Sequence, residues 1–136
     1  MSPNDGVWHH ICLSWERSSG SWKLYKDGEI RQQGTDFKKG FTLREGGSLV
    51  LGQDQDSVGG GFEADDSFKG MLSNVNVWDR KLTDAQIKDM STSCLLDEWN
   101  AGNVYSWRSF LQKAQARLVT ESPCKPLGTG RWHKDQ

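Results

Sequence analysis

The chain has 136 residues, enough for one domain of ordinary size, and its 17 basic residues nearly balance 18 acidic ones. This balance argues against a nucleic-acid binder, which usually carries a strong basic excess. No apolar run approaches the roughly 20 residues that cross a bilayer, and the first residues lack the pattern of a signal peptide. Seven Trp and fifteen Gly, with a hydrophobic fraction of only 35%, favour an all-β sandwich over a helical bundle.

The first predicted strands lie close together in the sequence. Residues 7–16 and 21–26 are rich in apolar and aromatic side chains and predict two strands with period-two alternation. Asp27 and Gly28 then predict a two-residue type I′ turn, because both of its central residues need a positive φ. Residues 29–33 follow as a short return strand.

The middle of the chain predicts two further strands and a long loop between them. Residues 48–52 and 68–78 are the strands, and residues 53–66 form a polar, glycine-rich loop. Residues 107–119 fit either a strand or a helix. Residues 1–125 are expected to belong to one domain, and residues 126–136 are expected to be a disordered polar tail.

One short helix is predicted from residue 84 to about residue 90. Thr83 is a suitable N-cap and Gln86 stands at the third helical position, which gives a capping box. Leu82 and Ile87 have the spacing of a hydrophobic staple across that cap.

The acidic loop, defined as residues 54–66, is the most informative segment. No Lys or Arg lies between Arg44 and Lys69, and each close pair of carboxylates repels by about 1 kcal/mol even in water. Calcium offsets such repulsion well because it takes six to eight oxygen ligands, carboxylates among them. The glycines at 59–61 allow a sharp reversal that can bring the two ends of the loop together. The loop carboxylates are Asp54, Asp56, Glu63, Asp65 and Asp66.

Other interpretations of the acidic residues and of the two histidines have weaker support in the sequence. A solvated acidic loop without a metal is the plainest alternative. An EF-hand is rejected, because Val58 occupies a ligand position and the flanking segments predict strands. Paired carboxylates also suggest a glycosidase, but they lie on a glycine loop and not on adjacent strands. His9 and His10 do not predict a zinc site, because adjacent strand residues point to opposite faces.

Three cysteines, an odd number, leave one thiol unpaired or paired outside this chain. They are Cys12, Cys94 and Cys124. Three free, buried cysteines in a cytosolic protein would be the alternative.

Three blocks of sequence together resemble the pentraxin family: residues 10–16 (HICLSWE), residues 51–63 (LGQDQDSVGGGFE) and residues 70–79 (GMLSNVNVWD). The resemblance implies an antiparallel jelly-roll β-sandwich of the concanavalin-like kind with one short helix. It implies a secreted, non-enzymatic, lectin-like protein that binds two calcium ions per complete domain. Phosphocholine-type and other phosphorylated or anionic ligands would reach those ions, and homo-oligomeric rings, commonly of five subunits, are expected.

Carried over residue by residue, the resemblance implies a set of calcium ligands in the acidic loop. Two positions depart from the family pattern, which usually has Glu at the position of Asp54 and Gln at that of Asp66. The implied ligands are Asp54, Gln55 through its carbonyl, Asp56 as the bridge between the two ions, Glu63 and Asp66.

The resemblance also implies that the N-terminal strands of the family domain are missing here. In the family, those missing strands carry an Asp-Asn pair of the calcium site and the cysteine that pairs with the one at Cys12. Cys94 and Cys124 resemble an extra disulfide of long and neuronal-type pentraxins. We therefore expect the chain alone to fold poorly or aggregate, because strand edges stay uncovered. The alternative function is a pentraxin-type module that acts as a scaffold in a larger adhesion receptor or matrix protein.

Overall fold

A computed structural model describes residues 5–93 and 101–113 of the chain. Within these residues, three strands come first and two short helices follow. The strands are β1 (Ile11–Glu16), β2 (Ser21–Lys26) and β3 (Glu29–Gly34), and the helices are α1 (Asp84–Thr92) and α2 (Trp107–Leu111).

The three strands form an antiparallel sheet in the order β1-β2-β3. The turn between β2 and β3 has the geometry expected from its sequence, because Asp27 and Gly28 have φ values of 55° and 78°. A register shift between Leu24 and Tyr25 marks a β-bulge where β2 pairs with β3. The hairpins predicted for residues 7–33 are therefore confirmed, although the first strand begins at Ile11 and not at residue 7.

One face of this sheet is covered by α1. Tyr25, at 1% exposure, packs there with Leu82 and Ile87, at 7% and 0%. Burial of a large apolar side chain contributes about 1.5–3 kcal/mol, so these three residues anchor the helix on the sheet. On β1, by contrast, Ile11 and Leu13 stay 57% and 68% exposed. Partly buried Cys12, Trp78 and Met90 surround the small core.

Helix α1 begins as predicted. The Thr83 hydroxyl accepts the Gln86 N–H at 3.1 Å, and the Gln86 side chain accepts the Thr83 N–H at 2.9 Å, which completes the capping box. The first helical residue, Asp84, accepts hydrogen bonds from Lys23 Nζ and from the Tyr25 hydroxyl at 2.7 Å. These bonds fix the start of the helix over the middle of β2.

Two reciprocal asparagine contacts join the segment before α1 to the segment before α2. Asn76 Oδ1 accepts the N–H of Gly102 at 3.0 Å and that of Trp107 at 3.2 Å. In the other direction, Asn103 accepts the Asp79 N–H at 3.2 Å and donates to the Asp79 carboxylate at 2.7 Å. The side-chain amides therefore satisfy backbone groups that a regular ladder would otherwise pair.

The predicted strands at residues 48–52 and 68–78 are wrong for the described part of the chain, where no ladder includes them. Among the described residues, the isolated bridge of Val77 with Tyr105 lies in the second segment, and the bridge of Gln53 with Ser67 lies just outside both segments. A strand needs a neighbouring backbone to pair with, and these segments find none over more than one residue. Residues 107–111 are helical, which is one of the two structures that the sequence left open for residues 107–119.

Of the three cysteines, Cys12 lies in the described part and is a partly buried free thiol. Burial raises the pKa of this thiol above its usual value, which disfavours the reactive thiolate. Cys94, Cys124 and the predicted tail at residues 126–136 lie outside the described residues. No helix among the described residues is long and apolar enough to span a membrane.

Candidate functional site

The acidic loop is closed at its base by backbone contacts. Gln53 and Ser67 form an antiparallel bridge, and the Phe68 N–H donates to the Gly52 carbonyl at 2.9 Å. The two chain segments that enter and leave the loop therefore lie side by side. Most of residues 54–66, including all five carboxylates, are exposed to solvent.

The tip of the loop reverses at the glycines, as the sequence predicts. Ser57 and Gly60 exchange two backbone hydrogen bonds of 3.3 and 3.0 Å. Gly59 and Gly61 have φ values of 69° and 74°, which residues other than glycine rarely adopt. The reversal is tight, because a Cβ atom built at Gly61 would lie 2.7 Å from the Cβ of Asp56.

The Gln55 side chain crosses the inside of this tip. Its Oε1 atom accepts the Gly59 N–H at 2.8 Å, and its Nε2 atom donates to the Ser48 carbonyl at 3.1 Å. The side-chain carbonyl of Gln55 is thus engaged within the loop. Because the side-chain oxygen already accepts this hydrogen bond, the carbonyl of Gln55 that is predicted to bind calcium is taken to be the main-chain carbonyl.

All five loop carboxylates are exposed. Within residues 5–93 and 101–113, no three His, Cys, Asp or Glu side chains converge closely enough to hold a metal ion. The donor set nevertheless fits calcium in its chemistry, because it consists of carboxylate and carbonyl oxygens. The residues fit the ion in type, while the structure does not bring their oxygen atoms together.

A second cluster, which the sequence did not reveal, surrounds His9. Its Nδ1 atom lies 2.8 Å from Asp27 Oδ2, and its Nε2 atom lies 3.1 Å from Asp5 Oδ2. Both contacts can be hydrogen bonds only when both ring nitrogens carry a proton. The hydrogen bonds to Asp5 and Asp27 raise the pKa of His9, which burial and the nearby Lys26 charge lower only in part.

The His9 cluster predicts a pH-dependent contribution to stability. Because the folded-state pKa is raised, the contribution is complete below the unfolded pKa of about 6.5 and is lost as pH rises through the folded pKa. We expect His9→Gln to lower the melting temperature by a few degrees at pH 5.5 and by less at pH 8.5. Thermal unfolding of the two proteins across this pH range measures the difference.

His10→Gln is the matched control for this experiment. Burial lowers the pKa of His10, so its contribution has the opposite sign and is lost as pH falls through that lowered pKa. The deficit of His10→Gln should grow toward high pH. Equal deficits of His9→Gln at both pH values would contradict the bridging of Asp5 and Asp27 by a charged imidazolium.

The described residues contain one antiparallel sheet and two short helices, and the match to a solved pentraxin structure supports the predicted β-sandwich fold. The structure of the native heptameric SAP-like pentraxin from Limulus polyphemus superposes with a TM-score of 0.69 at 36% identity. The match covers 79% of this chain and 48% of that chain.

Sequence comparisons identify the family. A sequence model described as the Pentaxin family matches residues 1–123, so the chain belongs to the pentraxin family. It is 40% identical over 121 residues to sushi, von Willebrand factor type A, EGF and pentraxin domain-containing protein 1 of Rattus norvegicus, covering 89% of this chain and 3% of that protein. It is 41% identical over 104 residues to neuronal pentraxin-1 of Homo sapiens, covering 76% and 24%.

Pentraxin-4 of Homo sapiens is similar to the same degree, with 42% identity over 125 residues that cover 88% of this chain and 26% of that protein. The chain therefore spans about a quarter or less of the length of these curated relatives.

Proposed function

We propose that this chain contributes to calcium-dependent binding of phosphorylated or other anionic ligands, of which phosphocholine is the type. The metal ligands would be Asp54, the main-chain carbonyl of Gln55, Asp56, Glu63 and Asp66. Asp56 would bridge two ions in a complete domain. When bound, calcium supplies positive charge and coordination positions that an anionic oxygen can occupy.

The observation that carries this proposal is the density of exposed carboxylates on a closed loop. Five acidic side chains lie between residues 54 and 66 with no Lys or Arg among them. Carboxylates repel one another when they come close on one short loop, and a bound divalent cation offsets that repulsion. The backbone contacts at the base and tip of the loop limit how far these side chains can separate.

Binding, and not catalysis, is the use that the loop supports. A general acid or base needs an environment that tunes its pKa, commonly burial next to a second ionisable group. The loop carboxylates are all exposed to water.

We also propose that the protein is extracellular and oligomeric. Membership of the pentraxin family supports the extracellular location and the oligomeric state. The heptameric state of the similar pentraxin from Limulus polyphemus also supports the oligomeric state.

A scaffold role within a larger protein is the second candidate. It is supported by the 40% identity to a relative of which this chain matches only 3%, and whose name includes several other domain types. In that role, the sandwich would hold neighbouring domains or partners without a small anionic ligand.

Retention on a phosphocholine matrix separates the two functions. We expect the chain to be retained in millimolar calcium, released by a chelator, and not retained in magnesium alone, because magnesium demands stricter octahedral geometry. Calcium titration calorimetry on the same preparation reports metal binding independently of the matrix. Calcium binding without retention would favour the scaffold, and the absence of both would contradict the calcium site.

A further inference from the structure

The Gln55 side chain occupies a position that its role as a metal ligand does not explain. It lies between two stretches of backbone, the loop tip at Gly59 and the segment at Ser48, and makes one hydrogen bond to each, of 2.8 and 3.1 Å. Both ends of the amide are used, one as acceptor and the other as donor. Only an uncharged amide of this length offers both functions here.

A separate contact places the same two segments together. A Cβ atom built on Gly59 would lie 3.5 Å from the Ser48 hydroxyl oxygen, so the loop tip packs directly against Ser48. Ser57 and Gly60 close the tip by their own backbone pair. The tip is therefore closed by its own backbone pair and packs against Ser48, and the Gln55 amide adds hydrogen bonds to both of these segments.

We infer that the Gln55 side chain is a positioning residue, which braces the loop tip against Ser48 before calcium binds. This inference rests on the proposed calcium site and specifies how one of its residues works. The brace fixes the backbone on either side of Asp56, the residue proposed to bridge the ions. Part of the entropy of ordering the loop is then lost during folding and not on metal binding, which favours affinity.

Substitution by Glu and by Ala distinguishes a brace from a ligand. At neutral pH, Gln55→Glu keeps an acceptor for Gly59 but cannot donate to the Ser48 carbonyl, while it adds a negative charge. A brace predicts that Gln55→Glu and Gln55→Ala both weaken calcium binding, by about three- to tenfold, the loss of one or two hydrogen bonds. A side-chain ligand predicts that Gln55→Glu binds calcium as tightly as the parent or more tightly.

Gln32 provides matched controls, because it is an exposed residue of β3. Gln32→Glu and Gln32→Ala make the same chemical changes away from the loop and should leave calcium affinity within about twofold. Calcium titration calorimetry on the full chain measures all four variants. Thermal unfolding should place the Gln55 and Gln32 variants within a few degrees of the parent, since the loop is exposed.

A calcium-free measurement keeps the brace testable even if the chain binds no metal. Amide hydrogen exchange at Gly59 should accelerate about tenfold in Gln55→Ala, because its acceptor is removed, while exchange at Phe68 in the loop base stays unchanged. Unchanged exchange at Gly59 would overturn the brace. If the parent chain binds no calcium but exchange at Gly59 is still faster in Gln55→Ala than in the parent, the brace is supported and only the proposed function is contradicted.

Discussion

Replacing Asp56 by Ala is expected to lower the calcium affinity of the chain by at least about tenfold, or roughly 1.4 kcal/mol. Asp56 is the proposed bridging ligand, so one substitution removes oxygen atoms from both ions. Asp56 also lies against Gly61 on the opposite side of the reversal. Calcium titration calorimetry of parent and variant provides the comparison.

Asp65→Ala is the appropriate control for Asp56→Ala. Asp65 is an exposed carboxylate of the same loop, and it lies outside the proposed ligand set. Its removal subtracts the same charge, so any general electrostatic attraction of calcium falls equally in the two variants. Equal losses of affinity would mean that the loop attracts calcium only diffusely, and the assignment of Asp56 as a bridging ligand would be abandoned.

Replacing Ile87 by Ala should destabilise the protein by about 2–5 kcal/mol, the range measured for large-to-small changes in cores. Ile87 has no exposed surface and packs in the same cluster as Tyr25 and Leu82. The core between α1 and the sheet has few fully buried side chains in the described chain, so little else can compensate for the cavity. Urea unfolding followed by tryptophan fluorescence measures the change in the free energy of unfolding.

Leu43→Ala serves as the reference for that loss. Leu43 is 77% exposed, and surface truncations usually change stability by less than about 0.5 kcal/mol. If Ile87→Ala and Leu43→Ala shifted the urea midpoint alike, the cluster around Tyr25 would not be the core that holds α1 on the sheet.

The features that could be predicted from sequence depend on chemistry that is local in the chain. The Asp27-Gly28 turn follows from the need for two positive φ angles, and the Thr83 capping box follows from two side chains three residues apart. The glycine reversal of the acidic loop belongs to the same class. Each of these signals is complete within a few residues, so no knowledge of the rest of the fold is required.

The features that escaped prediction depend on contacts between distant segments. Residues 48–52 and 68–78 have strand-like composition, but a strand exists only where another backbone lies beside it. The contact of His9 with Asp27 joins residues that are 18 apart in the sequence, and no local pattern around either residue predicts it. Whether the loop carboxylates converge is equally a question of three-dimensional arrangement, which spacing alone does not determine.

The order of the strands has a consequence for the kinetics of folding. The sheet is a meander, in which β1 pairs with β2 and β2 with β3 across short turns, so its loop-closure cost is small. The contact of Lys23 with Asp84 joins residues 61 apart and closes a much longer loop. The meander is therefore expected to form first and α1 to dock late. The loss of stability caused by Ile87→Ala should then appear mainly as a faster unfolding rate, while the refolding rate changes little.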